Sequence, residues 1–261
     1  MGTNVTVDGM AVYVAVPGET PAPGVLVLHE VFGLNDDIRS IADRFAALGY
    51  VAAAPDLVGG GSLRCIARAL RDLSRSDGST VAAAERMLTW LSERPEVLGG
   101  VGVAGFCMGA SFAMLLGTTG EASVVSAAYG EPPADPELVA RMCPTVAHYG
   151  GEDRLFRRFA GPLDDALDRA GVPHDVKLYP GAGHSFMNRG HEEHPIARRL
   201  AQPLMAVGYD PEAAEDAWGR IAGFFATHLA TGEPEIVIDL RDEVREEVPE
   251  ATETADGNGT S

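Results

Sequence analysis

The chain has 261 residues, 46% of them hydrophobic, and a formal net charge of -18 from 38 acidic against 20 basic side chains. That length and apolar content suit a single α/β domain with one large core. The charge argues against nucleic-acid binding, which needs a basic surface to neutralise phosphates.

At the start, Met1-Gly2-Thr3-Asn4-Val5-Thr6 has neither the basic residues nor the apolar stretch of a signal peptide, and no apolar run reaches the length of a membrane span. A cytoplasmic protein without membrane partners is expected. Apolar runs of strand length then alternate with longer amphipathic segments, the pattern of strand-helix units around a mostly parallel sheet. Val12 to Val16 and Val25 to Leu28 read as strands, and Asp36 or Asp37 can cap a helix running to Leu48, with Gly49 as its stop. Val51 to Ala54 is the next strand, ended by Pro55-Asp56. Gly59-Gly60-Gly61 is followed by neither Lys-Ser nor Lys-Thr and does not form G-x-G-x-x-G, so it reads as a flexible loop rather than a nucleotide site. Helices follow at Leu63 to Leu73 and Thr80 to Leu91, then the apolar strand Val101 to Ala104 and a helix from Met108 to about Gly117. Strands Val124 to Ala128 and Thr145 to Tyr149, a helix Pro162 to Ala170, the strand His174 to Tyr179 and a helix Pro211 to His228 complete a domain expected over residues 1–231. Residues 232–261 hold ten acids against Arg241 and Arg245 and read as a disordered acidic tail. Its one apolar cluster, Ile236-Val237-Ile238, could add an edge strand or engage an unknown partner.

Gly105-Phe106-Cys107-Met108-Gly109, directly after the apolar strand, is a G-x-C-x-G nucleophile elbow with sulfur in place of oxygen. The small flanking residues allow a sharp strand-to-helix turn, and the helix that follows aims its amino terminus at the sulfur, favouring thiolate and a developing oxyanion. A thiol with an ordinary pKa of about 8.5 still needs an imidazole and a carboxylate to activate it. Asp153, in Gly150-Gly151-Glu152-Asp153 after a strand, and His184, in Gly181-Ala182-Gly183-His184-Ser185-Phe186 after the last strand, follow Cys107 in the hydrolase order of nucleophile, acid, histidine. Glu152 competes with Asp153 on sequence alone. His191 and His194 lack the H-E-x-x-H order of zinc proteases and read as the solvated start of a helix, so no metal is expected. Cys65 and Cys143 read as structural thiols, too few for a disulfide framework, and Trp90 and Trp218 as packing residues.

The elbow, Asp153, His184 and the segment Leu28-His29-Glu30-Val31-Phe32-Gly33-Leu34 together resemble the dienelactone hydrolase family over roughly residues 5 to 230. The resemblance implies an α/β-hydrolase fold, a Cys-His-Asp triad, no cofactor and a lactone or small carboxylic ester as substrate. It implies that Glu30 holds Cys107 as a poorly reactive thiol at rest and accepts its proton once substrate arrives. Backbone N–H groups of Met108 and Val31 would form the oxyanion hole. Arginines would hold a substrate carboxylate. Arg64 and Arg68, with Arg71 beside them, and Arg189 next to Asn188 occupy the two regions concerned. Two other readings keep the fold: a ligand-binding or thiol-sensing protein without turnover, and an interaction module that uses the acidic tail.

Overall fold

The computed structural model describes residues 2–60 and 62–229. The predicted tail, with Ile236 to Ile238, lies outside the described residues. Among the described residues, eight strands form one sheet: β1 (Thr3–Val7), β2 (Met10–Ala15), β3 (Ala22–Leu28), β4 (Val51–Pro55), β5 (Val97–Phe106), β6 (Val124–Ala128), β7 (Thr145–Gly150) and β8 (His174–Tyr179). Their spatial order is β1-β2-β4-β3-β5-β6-β7-β8. The β1–β2 and β2–β4 pairs are antiparallel and every other pair is parallel.

Helices α1 (Asp36–Ala47), α2 (Leu63–Arg75), α3 (Ser79–Ser92), α4 (Met108–Leu116), α5 (Pro136–Val139), α6 (Ala160–Ala170), α7 (Pro195–Met205) and α8 (Pro211–His228) connect or flank the strands. Because successive side chains of a strand point to opposite faces, each central strand feeds two cores. Val25 and Val27 of β3 join Phe45 of α1 and Trp218, Ile221 and Phe225 of α8. Leu26 and Leu28 join Leu88 of α3, Phe112 of α4 and Leu163 of α6 on the other face. A central sheet buried on both sides explains why its strands read as continuous apolar runs rather than alternating ones.

Several elements go beyond those read from the sequence. β1 is half exposed and pairs with one neighbour, so its alternation carries little apolar signal. The four-residue α5 begins at Pro136, capped by Asp135. Where a solvated helix start was expected at His191 to His194, the chain makes a 3-10 turn (Gly190–Glu193) and then all of α7, none of whose residues is buried. No described helix is long and apolar enough to cross a membrane.

The connection from β3 through α1 enters β4 on one side of β3, and the next crossover, through α2 and α3, returns to β5 on its other side. Such a reversal opens a crevice at the carboxyl ends of the two diverging strands, the usual ligand position in an open α/β sheet. His29-Glu30-Val31 follows β3 and Cys107 follows β5, so the topology alone brings these segments together.

Candidate active site

Cys107 sits at the N-cap of α4 with φ 53° and ψ -117°, in the left-handed region that side chains with a Cβ rarely enter. The turn holds because its neighbours are glycines. A Cβ on Gly105 would collide with the Gly109 carbonyl, and one on Gly109 would collide with the Leu28 carbonyl of β3. The Cys107 N–H donates to the Ala128 carbonyl at 3.0 Å, anchoring the elbow to the end of β6.

Asp153 is fully buried, whereas Glu152 is exposed, so the two neighbouring acids that sequence left in competition are separated by the turn after β7. One Asp153 carboxylate oxygen accepts from the N–H groups of Leu155 at 3.0 Å and Phe156 at 3.2 Å. The other lies 2.6 Å from His184 Nδ1. The imidazole is held between the rings of Tyr129 and Phe156, each with its centroid 4.9 Å away. The His184 N–H donates to the Met205 carbonyl at 2.7 Å, and the His184 carbonyl accepts from Gly208 at 3.2 Å. The unexpected α7 therefore ends on the histidine, and its Leu204 carbonyl also takes the Arg154 N–H beside Asp153 at 3.0 Å.

Burial by itself would lower the pKa of His184. The electrostatic influence of Cys107 and the hydrogen bond to Asp153 outweigh it and raise the imidazole to about 10. Among the described residues Nε2, itself buried, makes no hydrogen bond of ordinary geometry, and Cys107 is the group whose influence reaches it.

Glu30 is buried, its Oε1 has no partner, and no hydrogen bond among the described residues joins it to Cys107. Burial pushes its carboxyl up to about 7, with His184 opposing the shift and Asp37 adding to it. Next to it, His29 fixes the loop after β3: its Nε2 accepts from the Leu57 N–H at 2.9 Å and its Nδ1–H donates to the Glu30 carbonyl. Burial lowers the His29 pKa, in keeping with this neutral tautomer. Val31 and Met108 both line the cavity in front of Cys107. The Met108 N–H, first in its helix, has no intrahelical acceptor.

The model for the dienelactone hydrolase family matches residues 10–229. The chain belongs to the dienelactone hydrolase family. Membership makes it a carboxylic ester or lactone hydrolase on an α/β-hydrolase fold. Among relatives, a Saccharolobus solfataricus protein provisionally named as a carboxymethylenebutenolidase is 29% identical over 252 residues, covering 81% of this chain and 91% of that one. A Rhodococcus opacus carboxymethylenebutenolidase is 27% identical over 224 residues, covering 80% and 82%. Among solved structures, the dienelactone hydrolase-like promiscuous phosphotriesterase P91 from metagenomic libraries is similar with a TM-score of 0.72 at 25% identity, over 88% of this chain and 99% of that one.

In this dienelactone hydrolase family member the cavity before Cys107 has a volume of about 720 Å³ and lies between α2, α4, α5 and the turn after β7. The arginines expected to hold a carboxylate do not reach it. Arg64 and Arg68 are exposed on α2 and point elsewhere, because the face that α2 turns to the cavity carries Leu70, Leu73, Ser74 and Arg75. Arg189 stacks on Tyr209, its guanidinium carbon 4.1 Å from the ring centroid. Asn188 is fully buried: its Nδ2 donates to Asp37 Oδ2 at 2.8 Å and its Oδ1 accepts from the Tyr129 hydroxyl.

Sequence reasoning missed this Tyr129–Asn188–Asp37 chain. A single polar residue after an apolar strand carries no signal of a partner 59 residues away. Likewise His194, weighed as a metal ligand, stacks on Phe32 with centroids 4.1 Å apart.

Proposed function

We propose that the chain hydrolyses a small carboxylic ester or lactone through a thioester on Cys107, with His184 and Asp153 completing a triad. The observation that carries this reading is the 2.6 Å hydrogen bond between buried Asp153 and His184 Nδ1, with Nε2 of the same ring near Cys107. A histidine so oriented stores the thiol proton as imidazolium and returns it to a leaving group.

In this reading the Cys107 thiolate attacks the ester carbonyl carbon, and the oxyanion that forms is met by the N–H groups of Met108 and Val31. Collapse breaks the bond to the alcohol oxygen, which takes the proton from His184 Nε2, leaving a thioester. Water then attacks the thioester carbon as Nε2 takes one of its protons, and the acid leaves as the thiolate is restored. Asp153 keeps Nδ1–H pointing to itself, so only Nε2 exchanges protons. Glu30, which titrates near neutrality, is a second acceptor for the thiol proton and neutralises no charge while protonated. A small-molecule substrate and a reducing cytoplasmic setting, in which Cys107 stays a thiol, complete the proposal.

Hydrolysis of an aryl acetate and of a dienelactone by the wild-type protein and Cys107→Ala, followed by mass spectrometry of the acid-quenched wild type, tests it. Expected are a loss of at least about 1000-fold in the variant, an effect of removing a nucleophile, and an acyl mass on the peptide holding Cys107. Turnover that survives Cys107→Ala would sink the thioester route.

A further inference from the structure

We infer that the cavity before Cys107 selects an uncharged ester or lactone with an apolar body and rejects one that carries its own carboxylate. The inference deepens the proposed reaction and rests on it for the identity of the reacting atom. Its support is the lining. Leu70 and Leu73 of α2, Leu138 of α5 and Phe156 form apolar walls around the sulfur. Such walls favour hydrocarbon removed from water and supply no hydrogen bond to an anion.

The charged groups on the rim have the wrong sign for a carboxylate clamp. Glu131 and Asp135 line the cavity against a single cation, Arg75. The Glu131 carboxylate has no ion-pair partner among the described residues, its backbone N–H alone being used by Ser111 Oγ at 2.9 Å. Arg75 is exposed at the end of α2 and forms no salt bridge among the described residues. A lone solvated guanidinium that shares its cavity with two carboxylates is a weak anion site compared with a buried arginine fork. Asn188, the polar group that follows the histidine loop, is neutral, and both ends of its amide are already bonded to Asp37 and Tyr129. The remaining polar side chains of the lining, Ser74, Ser76 and Ser111, are neutral hydroxyls, and Ser74 already donates to the Arg71 carbonyl at 2.7 Å, so no buried charge of the lining repays the dehydration of a second carboxylate.

The test compares 4-nitrophenyl heptanoate with mono-4-nitrophenyl adipate, esters of similar length whose (CH2)4 chain ends in an ethyl group or a carboxylate. Rates are corrected for the Cys107→Ala background. We expect kcat/KM to favour the heptanoate at least tenfold, and Glu131→Gln/Asp135→Asn to narrow the ratio three- to tenfold by gaining on the adipate alone. Equal rates, or an adipate preference that Arg75→Ala abolishes, would overturn the inference by making Arg75 a carboxylate anchor. A second measurement does not require turnover: labelling of Cys107 by N-propylmaleimide against 3-maleimidopropionate, read by peptide mass spectrometry with Cys65 as the internal reference. Cys107 should discriminate against the anionic reagent more than Cys65 does, and less so in the double variant. If neither ester is hydrolysed, the proposed function fails while this labelling ratio still upholds or overturns the charge preference.

Discussion

Glu30 is a carboxyl group with 2% of its surface exposed and one oxygen without a partner among the described residues, so it holds its proton more tightly than a carboxyl in water does. Burial is the main cause of its rise from 4.5 to about 7. Between those two pH values the folded state keeps a proton that the unfolded chain has lost. The stability linked to this group is therefore complete below about pH 4.5 and is lost as pH rises through about 7, by on the order of 3 kcal/mol. His184, raised to about 10, also loses stability from its unfolded value upward, but in wild type and variant alike. Urea denaturation should show the wild type weakening more between pH 5 and 8 than Glu30→Gln. Equal losses in the two proteins would mean that Glu30 is ionised in the fold throughout.

Among the elements, α3 shows how a helix can borrow its cap from a neighbour. It starts at Gly78, which offers no side chain, and the Thr80 N–H at its first turn donates at 3.0 Å to the carboxylate of Asp72 on α2. Gly78 has φ 123°, and a Cβ there would meet the Asp72 carboxylate, so the glycine is what lets the two helices close. Asp72→Ala should cost about 1 to 2 kcal/mol, the usual price of a lost N-cap bond. Chemical denaturation should show Asp72→Asn recovering about half of it, since the amide oxygen can still accept. An alanine variant as stable as the wild type would show that water replaces the cap without penalty. The loss matters for the site because α2 and α3 together place Leu70 and Leu73 along the cavity. α7 has the parallel task on the opposite side: its last carbonyls hold the backbones of His184 and Arg154.

At the scale of the whole molecule, the chain carries a net charge of -18, of which ten acids against two arginines in residues 232–261 supply -8, so the fold itself is held together against the repulsion of a net charge of -10. Its surface cations are partly spent in local pairs, among them Arg220 with Asp175 at 2.6 Å and Lys177, the only lysine of the chain, with Asp216 at 2.7 Å. Screening weakens such pairs and the general repulsion together, and exposed pairs contribute little. The repulsion should dominate. Melting temperature is expected to rise by several degrees between about 10 and 300 mM sodium chloride, where the screening length falls below about 10 Å. A melting temperature that falls with salt would assign more weight to the ion pairs.

What the sequence determined by itself was whatever is local in the chain. Alternating apolar runs and amphipathic segments announced the sheet and its main helices, because burial on both faces leaves its mark on every central strand. Gly105 and Gly109 announced the elbow, because only a residue without a Cβ fits against the carbonyls of Gly109 and Leu28. The order of Cys107, Asp153 and His184 was legible for the same reason: each stands at the end of a recognisable strand. Tertiary structure alone decided what depends on direction and on distant neighbours. It buried Asp153 and exposed Glu152, turned Arg64 and Arg68 away from the cavity, and tied Asn188 to Asp37 and Tyr129 across the fold. It also set α7 against the histidine through backbone carbonyls, which carry no residue identity and so leave no trace in the sequence.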